Sequence, residues 1–267
     1  MKQHSREAEK GSIRESLVIA FSMYSRIPMP QTDWSEAGMK YALCFFPLVG
    51  AVLGAVWTLC WTGLRAAGFG MLASSCILTA LPILVTGGIH MDGFLDTIDA
   101  RSSCQSRERK LEILKDSHAG AFAIIGCGVY LLLYLAAVSQ LMEGQRLYPA
   151  AASIFVMSRA LSGWSVVAFP KARQDGLAAS FSDQAKSRTV KMASGFWYLA
   201  GLLFVWYLDG VFLAAGFLAV SLAVFFWYRR MALREFGGVT GDLAGYFLQQ
   251  TELLMMVALA FGSRFLP

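Results

Sequence analysis

Seven stretches of the chain are almost free of charged residues, at roughly 41–64, 71–89, 121–142, 149–169, 193–208, 211–228 and 243–262. A helix needs about 20 apolar residues to cross the hydrocarbon core of a bilayer. The pattern therefore predicts about seven transmembrane helices, of which the fifth, 193–208, is the shortest. A further apolar patch at 17–24 is too short to cross and is closed by Pro28 and Pro30. It reads as a short interfacial or partly buried helix, and it lacks the longer apolar core and small-residue cleavage site of a signal peptide. The expected fold class is all-α, a polytopic membrane helix bundle. Residues 1–40 are expected to form an N-terminal segment with the interfacial helix, and 41–267 a single transmembrane domain, with no linker or internal repeat to divide it.

Composition agrees with this pattern. Hydrophobic residues make up 56% of the chain and charged residues only 15%, against about 25% charged in an average soluble domain. The five cysteines, Cys44, Cys60, Cys76, Cys104 and Cys127, have no CxxC spacing. They predict neither disulfides nor a zinc site.

Charge adds orientation. With the N-terminus cytoplasmic, segments 1–40, 90–120, 170–192 and 229–242 face the cytoplasm and carry nineteen Lys and Arg residues. The opposite side holds three: Arg65, Arg146 and Arg264. The positive-inside rule then sets the N-terminus in the cytoplasm and the C-terminus outside. The net charge of +5 is accounted for by this placement, and no nucleic-acid partner is expected. The outer connections are short. The inner ones are long and rich in Asp, Gly, Ser and Thr, so the chemistry is expected on the cytoplasmic face of the inner membrane.

The stretch "GGIHMDGFLDTIDAR" at 87–101 places Asp92, Asp96 and Asp99 at i, i+4 and i+7, on one face of a helix. Three like charges on one stripe repel, and each costs roughly 2.5–3.5 kcal/mol if carried to a bilayer centre. A divalent cation neutralises them best, and an all-oxygen set favours Mg²⁺ or Mn²⁺ over zinc. Helix capping by solvated aspartates is the alternative, but a cap uses one aspartate and not a seven-residue stripe. Gly87, Gly88 and Gly93 beside the stripe allow a ligand or a neighbouring helix to approach closely, and His90 reads as a polar interface residue.

Other polar residues are predicted on the same face. Lys115, Asp116, Ser117 and His118 precede Gly120 and a new apolar run, where free backbone N–H groups suit an anion; a plain N-cap by Asp116 or Ser117 fits equally well. The loop "FPKARQDGLAASFSD" supplies Lys171, Arg173 and Asp175 with Gly176, and "GGVTGD" places Thr240, Gly241 and Asp242 at the start of the last run. Arg159 and Glu252 lie within apolar runs. Such residues require a charged partner, either a substrate phosphate or one another, or a polar cavity. Carboxylates for a metal and basic groups for phosphates together suggest phosphoryl or nucleotidyl transfer.

The motifs "SRIPMP", "FFPLVGAVLG", "TGGIHMDGFLDTIDA", "LEILKDSHAGAFA", "SRA", "ARQDGLAASF" and "GGVTGDLAG…TE" occur in this order over residues 20 to 255. In this the chain resembles the cobalamin synthase family, the adenosylcobinamide-GDP ribazoletransferases. His118 and Ala123 stand where an Arg-like residue and often glycine are expected. The resemblance implies a Mg²⁺-dependent membrane enzyme of late cobalamin assembly, joining adenosylcobinamide-GDP to α-ribazole or its 5′-phosphate with release of GMP. Carried onto this chain, the acidic motif falls on Asp92, Asp96 and Asp99, for metal and diphosphate. The lysine motif falls on Lys115, Asp116 and Ser117, with Lys115 as the phosphate contact. The threonine–glycine–aspartate turn falls on Thr240, Gly241 and Asp242. His118, Arg159, Arg173 and Glu252 complete the expected substrate contacts.

Two other readings compete. A CDP-alcohol phosphotransferase would need D-G-x-x-A-R, whereas Asp92-Gly93 is followed by Phe94, Leu95, Asp96 and Thr97. A cation-coupled transporter would hold its polar residues near mid-bilayer, whereas most of these lie at one edge. Self-association, for example through Gly50 and Gly54, or contact with other cobalamin-assembly enzymes, stays open.

Overall fold

The computed structural model describes residues 2–32, 34–144, 149–174 and 183–262, with side chains from Ile13 onward. Arg146, Asp175, Gly176 and Arg264 lie outside the described residues. Every regular element among the described residues is helical: α1 (Lys2–Tyr24), α2 (Glu36–Ala42), α3 (Phe46–Ala66), α4 (Met71–Thr86), α5 (Ile89–Ser102), α6 (Arg107–Ile113), α7 (Ala121–Glu143), α8 (Pro149–Ala168), α9 (Ser187–Asp209), α10 (Val211–Met231), a π-helical turn (Ala232–Phe236) and α11 (Gly241–Gly262).

Six of these helices, α3 and α7 to α11, are long and apolar enough to cross a membrane. A seventh crossing is reached when α4 and α5 count as one span, since they meet that standard only together, and the pair is bent by 95°. The bend lies at Gly87 and Gly88, whose φ angles of 68° and 80° are left-handed and strained for any residue with a Cβ. At about 1.5 Å per residue, α4 is roughly 24 Å long, short of the roughly 30 Å hydrocarbon core by itself. The fifth crossing, α9, begins at Ser187 rather than 193 and has 23 residues, because "SRTVK" continues the helix outward.

The start of the chain departs from expectation. In place of a short helix over 17–24, α1 has 23 residues, since "SREAEK" is rich in strong helix formers. Its apolar end is packed: Val18, Ile19, Ala20 and Phe21 are buried, and Ser16 Oγ donates to Gly38 O at 2.6 Å. The first apolar run also splits, with α2 ending before Leu43 and α3 starting at Phe46. Pro47 in the first turn of α3 has no N–H to give and its ring would clash with the residue 43 carbonyl in a continuous helix.

Helices α8 and α11 are the most buried crossings, whereas α7, α9 and α10 turn most of their surface outward, presenting Leu132, Phe196, Phe212 and Phe226 to the surroundings. Close packing of α3 on α8 rests on two glycines. A Cβ on Gly50 would lie 2.2 Å from Phe155 O, and one on Gly54 would lie 2.7 Å from Ala152 O. These small residues therefore serve contacts within the chain.

At the centre of the bundle, Arg159 on α8 and Glu252 on α11 are 1% and 2% exposed and pair at 2.5 Å. Ser158 Oγ donates to the same carboxylate at 3.0 Å, and Arg159 Nη1 also donates to Phe155 O. Removing one partner of a buried pair leaves an uncompensated charge, at a cost of about 3–5 kcal/mol, whereas replacing both with apolar groups is often close to neutral. Glu252→Ala is therefore expected to lower the thermal unfolding midpoint in detergent strongly, and the Arg159→Met/Glu252→Leu double variant to recover most of the loss. A double variant as unstable as the single would contradict this account.

Candidate active site

Helix α5 lies across the end of the bundle where α11 and α7 begin. The contact with α11 is close because position 93 has no side chain: a Cβ on Gly93 would fall 2.7 Å from Asp242 O and 2.8 Å from Asp242 Cα. Gly245, one turn on, lies against the His90 backbone in the same way. The acidic stripe of α5 is thereby set beside the first turn of α11, which carries Asp242. Asp92 is exposed, while Asp96, Asp99 and Asp242 are half-buried.

The carboxylates do not share one environment. Burial, together with the charges of Asp92, Asp242, Asp99 and Asp116, pushes the Asp96 carboxyl up to about 7. Asp99 is spoken for. Its Oδ2 accepts from Gly120 N at 2.5 Å and its Oδ1 from Ala123 N at 2.8 Å. It thus satisfies two of the unpaired donors at the start of α7, and a Cβ on Gly120 would strike both oxygens at 2.8 Å. Neither Asp116 nor Ser117 is the cap; the residue at the cap position, Gly120, has no side chain, so the acceptor comes from α5 instead.

Asp242 is held from two sides. Thr240, which is buried, accepts from Leu243 N at 3.2 Å and donates to Asp242 Oδ2 at 3.3 Å. Arg173 Nη2 donates to the same oxygen at 3.3 Å. Arg173 reaches it because residues 170–172 run alongside the turn before α11: Ala172 N donates to Val239 O at 3.0 Å, and Val239 N to Pro170 O at 2.8 Å. A side chain on Gly238 would block this pairing, its Cβ falling 2.4 Å from Pro170 O. Lys171 pairs with Asp183, and Gly241 is exposed.

Lys115, Asp116, Ser117 and His118 are all exposed in the loop between α6 and α7. His118 N donates to Asp116 Oδ1 at 3.0 Å, with His118 Nδ1 at 2.8 Å from the same oxygen. These contacts hold the Asp116 carboxyl below its ordinary range. Asp99 anchors the C-terminal end of this loop beside the acidic face.

Arg159 and Glu252 are not part of this group. They pair with each other, and Glu252 is ten residues beyond Asp242, about 15 Å further along α11. His90 is buried, its ring stacked on Tyr24 at 5.8 Å and tilted against Phe46 at 5.6 Å. The structure adds residues that the motifs did not single out. Arg101, Lys110, Glu235 and Tyr246 form a polar cluster behind α5. Its only sign in the sequence is an acid within the basic stretch "RRMALREF".

Among the described residues, no three His, Cys, Asp or Glu side chains converge closely enough to hold one metal ion. The donors at hand are hard carboxylate oxygens, which suit Mg²⁺. This ion usually takes one or two protein carboxylates and completes its shell with water and substrate phosphate. Asp92 and Asp96, one turn apart on α5, are carboxylates of the kind such an open site uses, whereas Asp99 already accepts from two backbone N–H groups and Asp242 is paired with Arg173.

Comparison with known proteins gives the family. The family model described as cobalamin-5-phosphate synthase matches residues 16–260. The chain is 46% identical over 247 residues to an adenosylcobinamide-GDP ribazoletransferase of Lachnoclostridium phytofermentans, covering 92% of this chain and 94% of that protein. Proteins of the same name from Desulfitobacterium hafniense and Brevibacillus brevis are 33% and 31% identical, each over 90% of this chain and 94% and 95% of theirs. No solved structure matches the chain. With nearly its whole length matched by the family model and by these relatives, the chain belongs to the cobalamin-5-phosphate synthase family.

Proposed function

We propose that this membrane enzyme transfers the cobinamide phosphate of adenosylcobinamide-GDP to α-ribazole or its 5′-phosphate, releasing GMP, on the cytoplasmic face of the inner membrane. The observation that carries the reading is the close contact of Gly93 with the Asp242 backbone, which sets the acidic stripe of α5 beside the first turn of α11, where Asp242 pairs with Arg173. The placement of basic residues supports the orientation. The hard-oxygen donor set supports Mg²⁺ held by Asp92 and Asp96, with phosphate oxygens completing its shell.

A ribose hydroxyl forms the new P–O bond, the bridging P–O bond of the diphosphate breaks, GMP departs, and the hydroxyl proton is lost. Mg²⁺, when bound, supplies positive charge to the diphosphate and the departing phosphate. The chain's own contribution is to arrange charge. Arg173 and Lys115 offer cations to the phosphates, and a carboxylate of the acidic face takes the hydroxyl proton. The backbone amides at the start of α7 are already used by Asp99, so that helix end acts as an anchor for the Lys115 loop.

The test is GMP release by liposome-reconstituted protein given adenosylcobinamide-GDP and α-ribazole, with Mg²⁺ and then with excess EDTA. Turnover is expected only with the metal, and metal-independent turnover would remove Mg²⁺ from the account. Asp92→Asn and Asp96→Asn are expected to lower kcat by roughly 10²-fold or more; wild-type rates in both would overturn the site. Asp99→Asn keeps a side-chain acceptor for the α7 cap and should lose less than about tenfold, whereas Asp99→Leu, with no acceptor, should also lower the unfolding midpoint. Arg173→Gln is expected to raise KM for the GDP-bearing donor and leave KM for the ribazole acceptor within about twofold, read from initial rates with each substrate varied in turn.

A further inference from the structure

The acidic stripe is only as well placed as the rotation of α5 about its own axis. At 3.6 residues per turn, Phe94 and Arg101 lie roughly 160–180° round the helix from Asp92. Whatever holds those two residues therefore sets where the carboxylates point. Phe94 stacks on Tyr246 of α11, with ring centroids 5.4 Å apart and planes 19° from parallel. Arg101 is gripped by its whole guanidinium. Its Nε donates to both oxygens of Glu235 at 3.3 and 3.2 Å, its Nη2 to Glu235 Oε1 at 3.1 Å, and its Nη1 to Tyr246 Oη at 3.1 Å. It also lies 5.3 Å from the Trp227 ring. Lys110 of α6 donates to the remaining side of Glu235 at 3.1 Å. One carboxylate thus joins α5 and α6 to the end of α10.

Glu235 reaches this position from an irregular segment. Ala232–Phe236 is a π-helical turn, in which hydrogen bonds close one residue further on than in an α-helix. It ends at Gly237, with φ 75°, where Arg107 packs so closely that any side chain would displace its guanidinium. In an uninterrupted α-helix, residue 235 would be turned away by a large part of one residue step, about 100°. The π turn is unfavourable by itself and is retained where its geometry is used.

We propose that Glu235 and Arg101 are positioning residues of the transfer reaction: the π turn presents Glu235 so that its pairing with Arg101 fixes the rotation of α5, and through it the placement of Asp92 and Asp96 beside Asp242. Neither residue touches the reacting atoms. The inference rests on the transferase reading for its effect on rate, but the pairing itself can be read without turnover.

The experiment uses the full chain in liposomes, comparing wild type with Glu235→Gln, Arg101→Met and the double variant. Two measurements are made: GMP release, and backbone hydrogen exchange over residues 89–102. Each single variant is expected to lower kcat by tenfold or more while leaving KM for the ribazole acceptor within twofold. The double variant should be no worse than the poorer single, because both remove one interaction. Exchange in α5 should quicken while that in α8 stays as in wild type. Glu235→Asp, which keeps the charge, should recover part of the lost turnover, a result that a loss of general stability would not give. Variants with kcat within twofold of wild type, rate losses that multiply in the double variant, or unchanged exchange in α5 would overturn the proposal. Faster exchange in α5 with no GMP release from wild type would instead uphold the clamp and overturn the transferase reading. Glu235→Gln is isosteric, so it remains available if Arg101→Met fails to fold.

Discussion

The structure depends on the contact of α5 with α11 at a point where no side chain separates their backbones. Gly93 faces the backbone of Asp242, and that single missing Cβ brings two acidic segments, about 150 residues apart in sequence, to one place. The approach gathers acidic side chains whose like charges repel, with Arg173 meeting Asp242, so it is unfavourable in isolation. It persists because α5 is held on its other sides. The glycine pair turns it out of line with α4, Asp99 ties it to α7, and Phe94 with Arg101 fixes it to α11 and the end of α10. The packing thus sustains an electrostatic arrangement that a bound cation and diphosphate would relieve.

Two treatments of charge follow from depth. Deep in the bundle, where an unpaired charge is costly, Arg159 and Glu252 are matched one to one and further hydrogen-bonded. This unit contributes to helix register and offers no charge to a ligand. At the end of the bundle, Asp92 is exposed and Asp96 half-buried, with no ion pair to either among the described residues, and Asp242 is met by Arg173 from a loop rather than from a packed helix. Charge at this end of the bundle lies where water can support it. This division also separates the chain from a transporter, whose polar residues would be expected at the depth that the closed Arg159–Glu252 pair occupies.

Much of this was legible from residue order. The apolar runs predict the crossings because the requirement for about 20 apolar residues leaves a one-dimensional record, and the i, i+4, i+7 spacing of Asp92, Asp96 and Asp99 predicts their common face because helix periodicity is local. What could not be read depends on residues far apart. Asp99 shares the stripe but turns to the amides of Gly120 and Ala123, a partner choice set by how α5 and α7 pack. Arg159 and Glu252 each require a partner, and only the crossing of α8 with α11 shows that they are each other's. The break before Pro47 was within reach of local reasoning, since proline excludes a continuous helix there. The π turn was not, since "ALREF" carries no composition that distinguishes it from an ordinary helical turn.

The three aspartates of the stripe therefore carry different work despite identical chemistry and regular spacing. Asp92 is open to solvent, Asp96 is shifted toward neutrality by burial and by its acidic neighbours, and Asp99 is a fixed acceptor at the end of another helix. A cation held by three equivalent carboxylates would form a closed, substrate-independent site. Two carboxylates on α5, with Asp242 of the neighbouring helix already shared with Arg173, would leave coordination positions for phosphate oxygens. An open set of this kind would tie occupancy of the site to the diphosphate, which suits a transferase that must hold its donor firmly and then release GMP.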